Sequence, residues 1–100
     1  MGFDILIKNG TLIDGTGSPA RRGNLAISAG RIAGVGDVDG LAKRVIDADG
    51  AVVAPGFIDP HTHYDAQICW DSAVTPSSWH GVTSVVMGNC GVGIAPCWPD

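Results

Sequence analysis

A mixed α and β fold, rich in β, is what this 100-residue sequence predicts, and three observations carry that reading. Its apolar runs are short and separated by turn dipeptides: Asn9-Gly10, Ala29-Gly30 and Asp49-Gly50. Fifteen glycines and six prolines leave little room for long helices. The second half contains one strand-like run, one helix-start signal and a second strand-like run, in that order. Hydrophobic residues make up 45% and charged residues 16%, against a typical charged share of about 25%. A chain this apolar can bury a core, which excludes a disordered class.

The elements follow in order. Phe3 to Asp14 (FDILIKNGTLID) reads as two short strands joined at Asn9-Gly10, the preferred pair for a two-residue type I′ hairpin. Asn24 to Ser28 (NLAIS) and Arg31 to Val35 (RIAGV) repeat the device around Ala29-Gly30. Arg44 to Asp47 (RVID) and Ala51 to Ala54 (AVVA) flank Asp49-Gly50. Residues 1–54 thus form a strand-and-turn module. Within it, Gly15-Thr16-Gly17 lacks the third glycine of a dinucleotide loop, where Ala20 stands, and no helical periodicity follows. It is a turn.

Charge and targeting signals narrow the function classes. Six basic against ten acidic residues give a net charge of -4, and no basic run is longer than a pair such as Arg21-Arg22, so no nucleic-acid footprint is expected. No apolar run approaches the ~18 residues of a membrane span. Met1-Gly2-Phe3-Asp4 lacks a basic region followed by an apolar one, and three cysteines without an export signal suit a reducing compartment. A cytoplasmic chain is expected.

Every histidine, cysteine and tryptophan lies after Pro60. Phe57-Ile58 is strand-like, and Pro60 ends the ladder because it has no N–H to donate. His61 and His63 follow, two apart, so that extended geometry would put both imidazoles on one face. Neutral imidazole is a good zinc ligand. Asp59 shares their parity and is placed to accept a hydrogen bond or approach the metal. Alone, the pair is equally well read as two polar residues at a strand end. Cys90 changes the balance: Val82 to Met87 (VTSVVM) leads to a glycine-flanked thiol at a second strand terminus, a suitable third ligand. Its bland alternative is a small buried hydrophobe.

Between them, Thr75-Pro76-Ser77-Ser78 predicts a short helix over about Pro76 to His80, with Thr75 as its cap and Gly81 as its end. Strand, helix and strand make a parallel pair with a crossover. In such folds the site forms at the carboxyl ends of the strands, where His-Thr-His and Asn-Cys-Gly stand.

Gly56-Phe57-Ile58-Asp59-Pro60-His61-Thr62-His63 resembles the first-strand signature of the amidohydrolase superfamily. The NGTLIDGTG opening and the closing VVAPGFID resemble that superfamily's small N-terminal β domain. Gly81-Val82-Thr83-Ser84-Val85-Val86-Met87-Gly88-Asn89-Cys90-Gly91 is similar to the second strand of the N-acyl-D-amino acid deacylases. The resemblance implies a β-sandwich-like domain over residues 1–54, and over 55–100 the first β-α-β unit of an incomplete (β/α)8 barrel. It implies His61, His63 and Cys90 as ligands of Zn2+, with Cys90 in the region where related hydrolases use a carbamylated lysine further along. It implies hydrolysis of a small-molecule N-acyl-D-amino acid by a metal-activated water.

The family's two further histidine ligands and its aspartate general base come from later strands and are not in this chain. The resemblance gives Asp65 no role beyond a contact behind the ligands. His80 is expected at the surface or in packing, and Cys69 and Cys97 as structural. A barrel takes about 250 residues, so the expectation is the N-terminal part of a longer product, inactive in isolation. The alternatives are a cyclic amidohydrolase of hydantoinase or dihydroorotase type, which Cys90 disfavours, and a non-catalytic β-rich binding module.

Overall fold

The computed structural model describes residues 2–91. The chain divides into two compact units, Met1–Pro55 and Gly56–Asp100. The first is a mixed five-stranded sheet of β1 (Phe3–Leu12), β2 (Arg21–Ser28), β3 (Arg31–Gly36), β4 (Ala42–Asp47) and β5 (Val52–Val53). The order is β3-β2-β1-β4, and β5 takes over beside β1 where β4 ends. β2 lies antiparallel to β1 and β3, while β4 and β5 run parallel to β1. Among the described residues this unit is one sheet layer. Its core is Leu6, Ala26 and Leu12, with Leu6 and Ala26 directly paired across β1 and β2.

Asn9-Gly10 makes no hairpin. β1 runs straight through it, and the dipeptide forms a bulge between Ile7 and Gly10. A type I′ turn needs positive φ at both residues, but here only Asn9 has it (φ 58°). The bulge leaves the Asn9 amide without a ladder partner, and Asn24 Oδ1 accepts it at 2.9 Å. Gly10 is glycine for a different reason: a Cβ there would lie 2.6 Å from Val53 Cγ2. The bulge is where β1 exchanges β4 for β5. The turn Ala48-Asp49-Gly50-Ala51, closed by a 2.8 Å bond from Ala51 N–H to Ala48 O, sits against it through Gly50 N–H to Asn9 O at 2.9 Å.

The Ala29-Gly30 hairpin forms as expected, with φ 49° and 71°. Asp4 anchors it by accepting the Ala29 amide at 2.7 Å, and Lys43 Nζ reaches the other oxygen of Asp4 at 2.7 Å. Those two donors hold the Asp4 carboxyl below its ordinary range. Gly15-Thr16-Gly17 is a turn, with Asp14 accepting both the amide and the hydroxyl of Thr16.

The second unit holds β6 (Phe57–Asp59), α1 (Tyr64–Gln67), a 3-10 helix (Ser77–His80) and β7 (Val82–Val85). β6 and β7 are parallel, with Ile58 opposite Ser84 and Asp59 opposite Val85. The strand, helix and strand pattern is therefore present, with two differences. α1 carries no sequence signal that announced it. The expected Pro76–His80 helix is a single 3-10 turn with Pro76 at its N-cap and no capping side chain. Thr75 instead turns back, donating its amide at 2.7 Å to the Asp71 carboxylate, which its hydroxyl also reaches. Gly81 ends the turn at φ 84°, as expected.

Candidate metal centre

Parallel pairing of β6 and β7 puts both strands' carboxyl ends on the same side, and the chain leaves each of them into a segment that carries candidate ligands. After Asp59 the backbone bends, so His61 and His63 do not sit on extended strand. Alternation survives nonetheless: both histidines are exposed and Thr62 between them is buried. The two imidazole rings lie 6.2 Å apart, centre to centre, and within 22° of parallel.

Hydrogen bonds bring the two segments together. Val86 N–H donates to Asp59 O at 2.9 Å, extending the ladder by one rung. The Thr62 hydroxyl donates to Val86 O at 2.8 Å, and Asn89 Nδ2 donates to Pro60 O at 2.9 Å. These two side chains staple Pro60-His61-Thr62-His63 to the segment that carries Cys90. Their role was not visible in sequence, because each bond spans more than twenty residues. Asn89 beside a cysteine was the nearest thing to a signal.

The outcome is that one ligand atom each from His61, His63 and Cys90 lies within 4.8 Å of the others. His63 Nε2 is 3.1 Å from Cys90 Sγ. Tetrahedral zinc, ~2.0–2.1 Å from nitrogen and ~2.3 Å from sulfur, sets its ligand atoms roughly 3.3–3.6 Å apart. Two imidazoles and a thiol at this spacing fit a borderline cation such as zinc better than a hard one such as magnesium.

The remaining candidates distribute around this point. Asp59 is outside the ligand group and accepts the His61 amide at 3.1 Å, which orients that residue. Asp65 is buried, and its Oδ2 has no hydrogen-bond partner among the described residues. Tyr64 is buried too, with its hydroxyl 2.6 Å from Ser77 Oγ, tying α1 to the 3-10 turn. His80 is exposed at the end of that turn. Cys69, expected as a structural residue, is instead an exposed free thiol just beyond α1. Cys97 lies outside the described residues.

Known proteins are similar to this chain. The model of the amidohydrolase family matches residues 44–98. D-aminoacylase of Alcaligenes xylosoxydans xylosoxydans is 50% identical over 95 residues, covering 94% of this chain and 20% of that protein. Among solved structures, the N-acyl-D-glutamate deacylase of Bordetella bronchiseptica, complexed with zinc and a phosphonate inhibitor, superposes with a TM-score of 0.88 at 43% identity over 96% of this chain. L-hydantoinase of Arthrobacter aurescens gives 0.55 at 34% identity over 63% of the chain. The chain spans about a fifth of the length of the deacylases it matches. With the family match covering more than half of its residues, the chain belongs to the amidohydrolase family.

Proposed function

We propose that this chain is the N-terminal part of a zinc-dependent amidohydrolase that hydrolyses the amide bond of N-acyl-D-amino acids. The observation that carries the reading is the meeting of His61, His63 and Cys90 at the ends of two parallel strands. The similarity to deacylases, one of them solved with zinc, supports it. Residues 1–54 are then a β-rich domain, and 55–100 the opening β-α-β unit of a (β/α)8 barrel.

When bound, zinc supplies Lewis acidity to a carbonyl and to the attacking water. The chain's own residues prepare for it. His61 and His63 offer neutral imidazole nitrogens, and Cys90 a thiolate. Asp59 orients His61 through its amide. Thr62 and Asn89 fix the distance between the two ligand-bearing segments, so the set is assembled before a cation arrives. The general base and the remaining ligands belong to later strands, so the 100 residues alone are expected to be inactive. Free Cys69 and Cys90 suit a cytoplasmic, reducing setting. Among the described residues no helix is long and apolar enough to cross a membrane.

The second reading, a cyclic amidohydrolase, rests on the likeness to L-hydantoinase, which covers less of the chain at a lower TM-score. The test compares N-acetyl-D-methionine, its L enantiomer and hydantoin as substrates of the full-length protein. Zinc-dependent release of the D amino acid is the expected result, lost together with bound zinc in Cys90→Ala and His63→Ala. Hydantoin opening would establish the second reading. No hydrolysis by the zinc-loaded protein would sink both.

A further inference from the structure

We propose that Asp65 is a positioning residue of this metal centre: the buried counter-charge that braces the Cys90 segment against His63 and strengthens the site's hold on a cation. The inference rests on the metal reading above and adds a residue to it.

Asp65 is 6% exposed, and its Oδ2 is buried with no donor among the described residues. An unpaired carboxylate oxygen is expensive to bury, so its retention calls for something nearby that favours negative charge. Its position says what. A Cβ built on Gly91 would lie 3.5 Å from Asp65 Oδ2 and 3.7 Å from His63 Cγ, and one built on Gly88 would lie 3.8 Å from Oδ1. The two oxygens therefore face the two glycines that flank Asn89-Cys90, and the His63 ring packs against the second of them. Both glycines have positive φ, 81° and 110°, so this segment's path depends on what it leans upon.

The plain alternative is an acidic residue serving the first turn of α1. That helix has only four residues, and a carboxylate working for it would accept the helix's free N–H groups. Oδ2 accepts none among the described residues. Charge balance points the other way. Of the three candidate ligands in this chain only the thiolate brings negative charge to a divalent cation, and a buried carboxylate behind them adds to it. Groups of this kind set ligand orientation and tune metal affinity.

The experiment uses the full-length protein with Asp65→Asn, which keeps the side chain's shape and removes its charge. Zinc affinity is measured by chelator competition, Cys90 ligation by the thiolate-to-cobalt charge-transfer band, and the zinc-free protein's Tm by calorimetry. The expected result is zinc binding weakened roughly 10–100-fold, an altered cobalt band and a zinc-free Tm that does not fall. Unchanged zinc affinity overturns the proposal. So does a loss of affinity accompanied by a lower zinc-free Tm, since that marks a merely structural role. If Asp65→Asn does not fold, Asp65→Ser is judged by the same criteria. A wild-type cobalt band that persists in Cys90→Ala would show instead that the metal reading itself is wrong, and the proposal falls with it.

Discussion

In Met1–Pro55 the most deeply buried side chains are Leu6, Ala26 and Leu12, in the middle of a sheet. In the described part of Gly56–Asp100 they are Thr62, Tyr64 and Asp65, each carrying a polar group, while Phe57 and Ile58 on β6 are 68% and 70% exposed. The first unit carries its own apolar core, and its polar side chains repair irregularities of the ladder, as Asn24 does for the Asn9 bulge. The second unit inverts this. Phe57 and Ile58 of β6 are uncovered, as Ile32, Val45 and Val52 are in the first unit, but here hydrogen bonds from Thr62 and Asn89 hold together the segments that carry the candidate ligands. Hydrophobic burial is not directional and can hold a sheet together. Placing three ligand atoms at one point needs directional bonds instead.

If the units divide stability and site geometry in this way, substitutions in each should separate the two properties in the full-length protein. The largest effect on stability is expected from Leu6→Ala, which empties a side-chain position 1% exposed. Its cost is about 2–5 kcal/mol, read as a lower denaturation midpoint, with zinc affinity of the folded protein unchanged. A loss of zinc affinity in step with stability would break the division.

Thr62→Val sharpens the other side. It preserves shape, removes the bond to Val86 O and leaves that carbonyl without its hydroxyl partner. The stability cost is about 1–3 kcal/mol, smaller than for Leu6, whereas zinc affinity should fall more than in Leu6→Ala. Chelator competition on the two variants decides it.

The smallest effect concerns acid. Hydrogen bonds from the Thr75 and Gln67 side chains hold the Asp71 carboxyl down to about 2, from an ordinary 3.8. Because the folded value is the lower one, the stabilisation is present above about pH 4 and is lost as pH falls through about 2. Asp71→Asn should flatten the acid limb of a Tm profile by lowering the plateau above about pH 4, and leave the Tm near pH 2 little changed. Asp71 is half-buried and its partners partly solvated, so the effect is small, but a Tm at pH 7 equal to that of the unsubstituted protein would contradict this assignment.

How much was legible depended on whether a signal was local. Ala29-Gly30 was readable as a hairpin because both positive φ values belong to the turn itself. Asn9-Gly10 showed the same kind of dipeptide and misled, because its φ values answer to β4, β5 and Asn24, up to more than forty residues away. Thr75 misled likewise, since Asp71 outcompeted the helix for its hydroxyl. The cluster proposed as ligands was readable because His61 and His63 announce themselves at a spacing of two, and Cys90 ends an apolar run. What lies behind the ligands was not.

The sequence by itself determined the β-rich class, the residue types of the candidate metal cluster and the polarity of a strand-helix-strand unit, because periodicity, turn chemistry and metal preference are properties of neighbouring residues. Only the tertiary structure decided that β1 is one strand, that Thr62 and Asn89 staple the segments of His61, His63 and Cys90 together, and that Asp65 is buried without a partner among the described residues. Each of those depends on which distant groups come within reach, and a hydrogen bond or a desolvated charge exists only once the chain has closed around it.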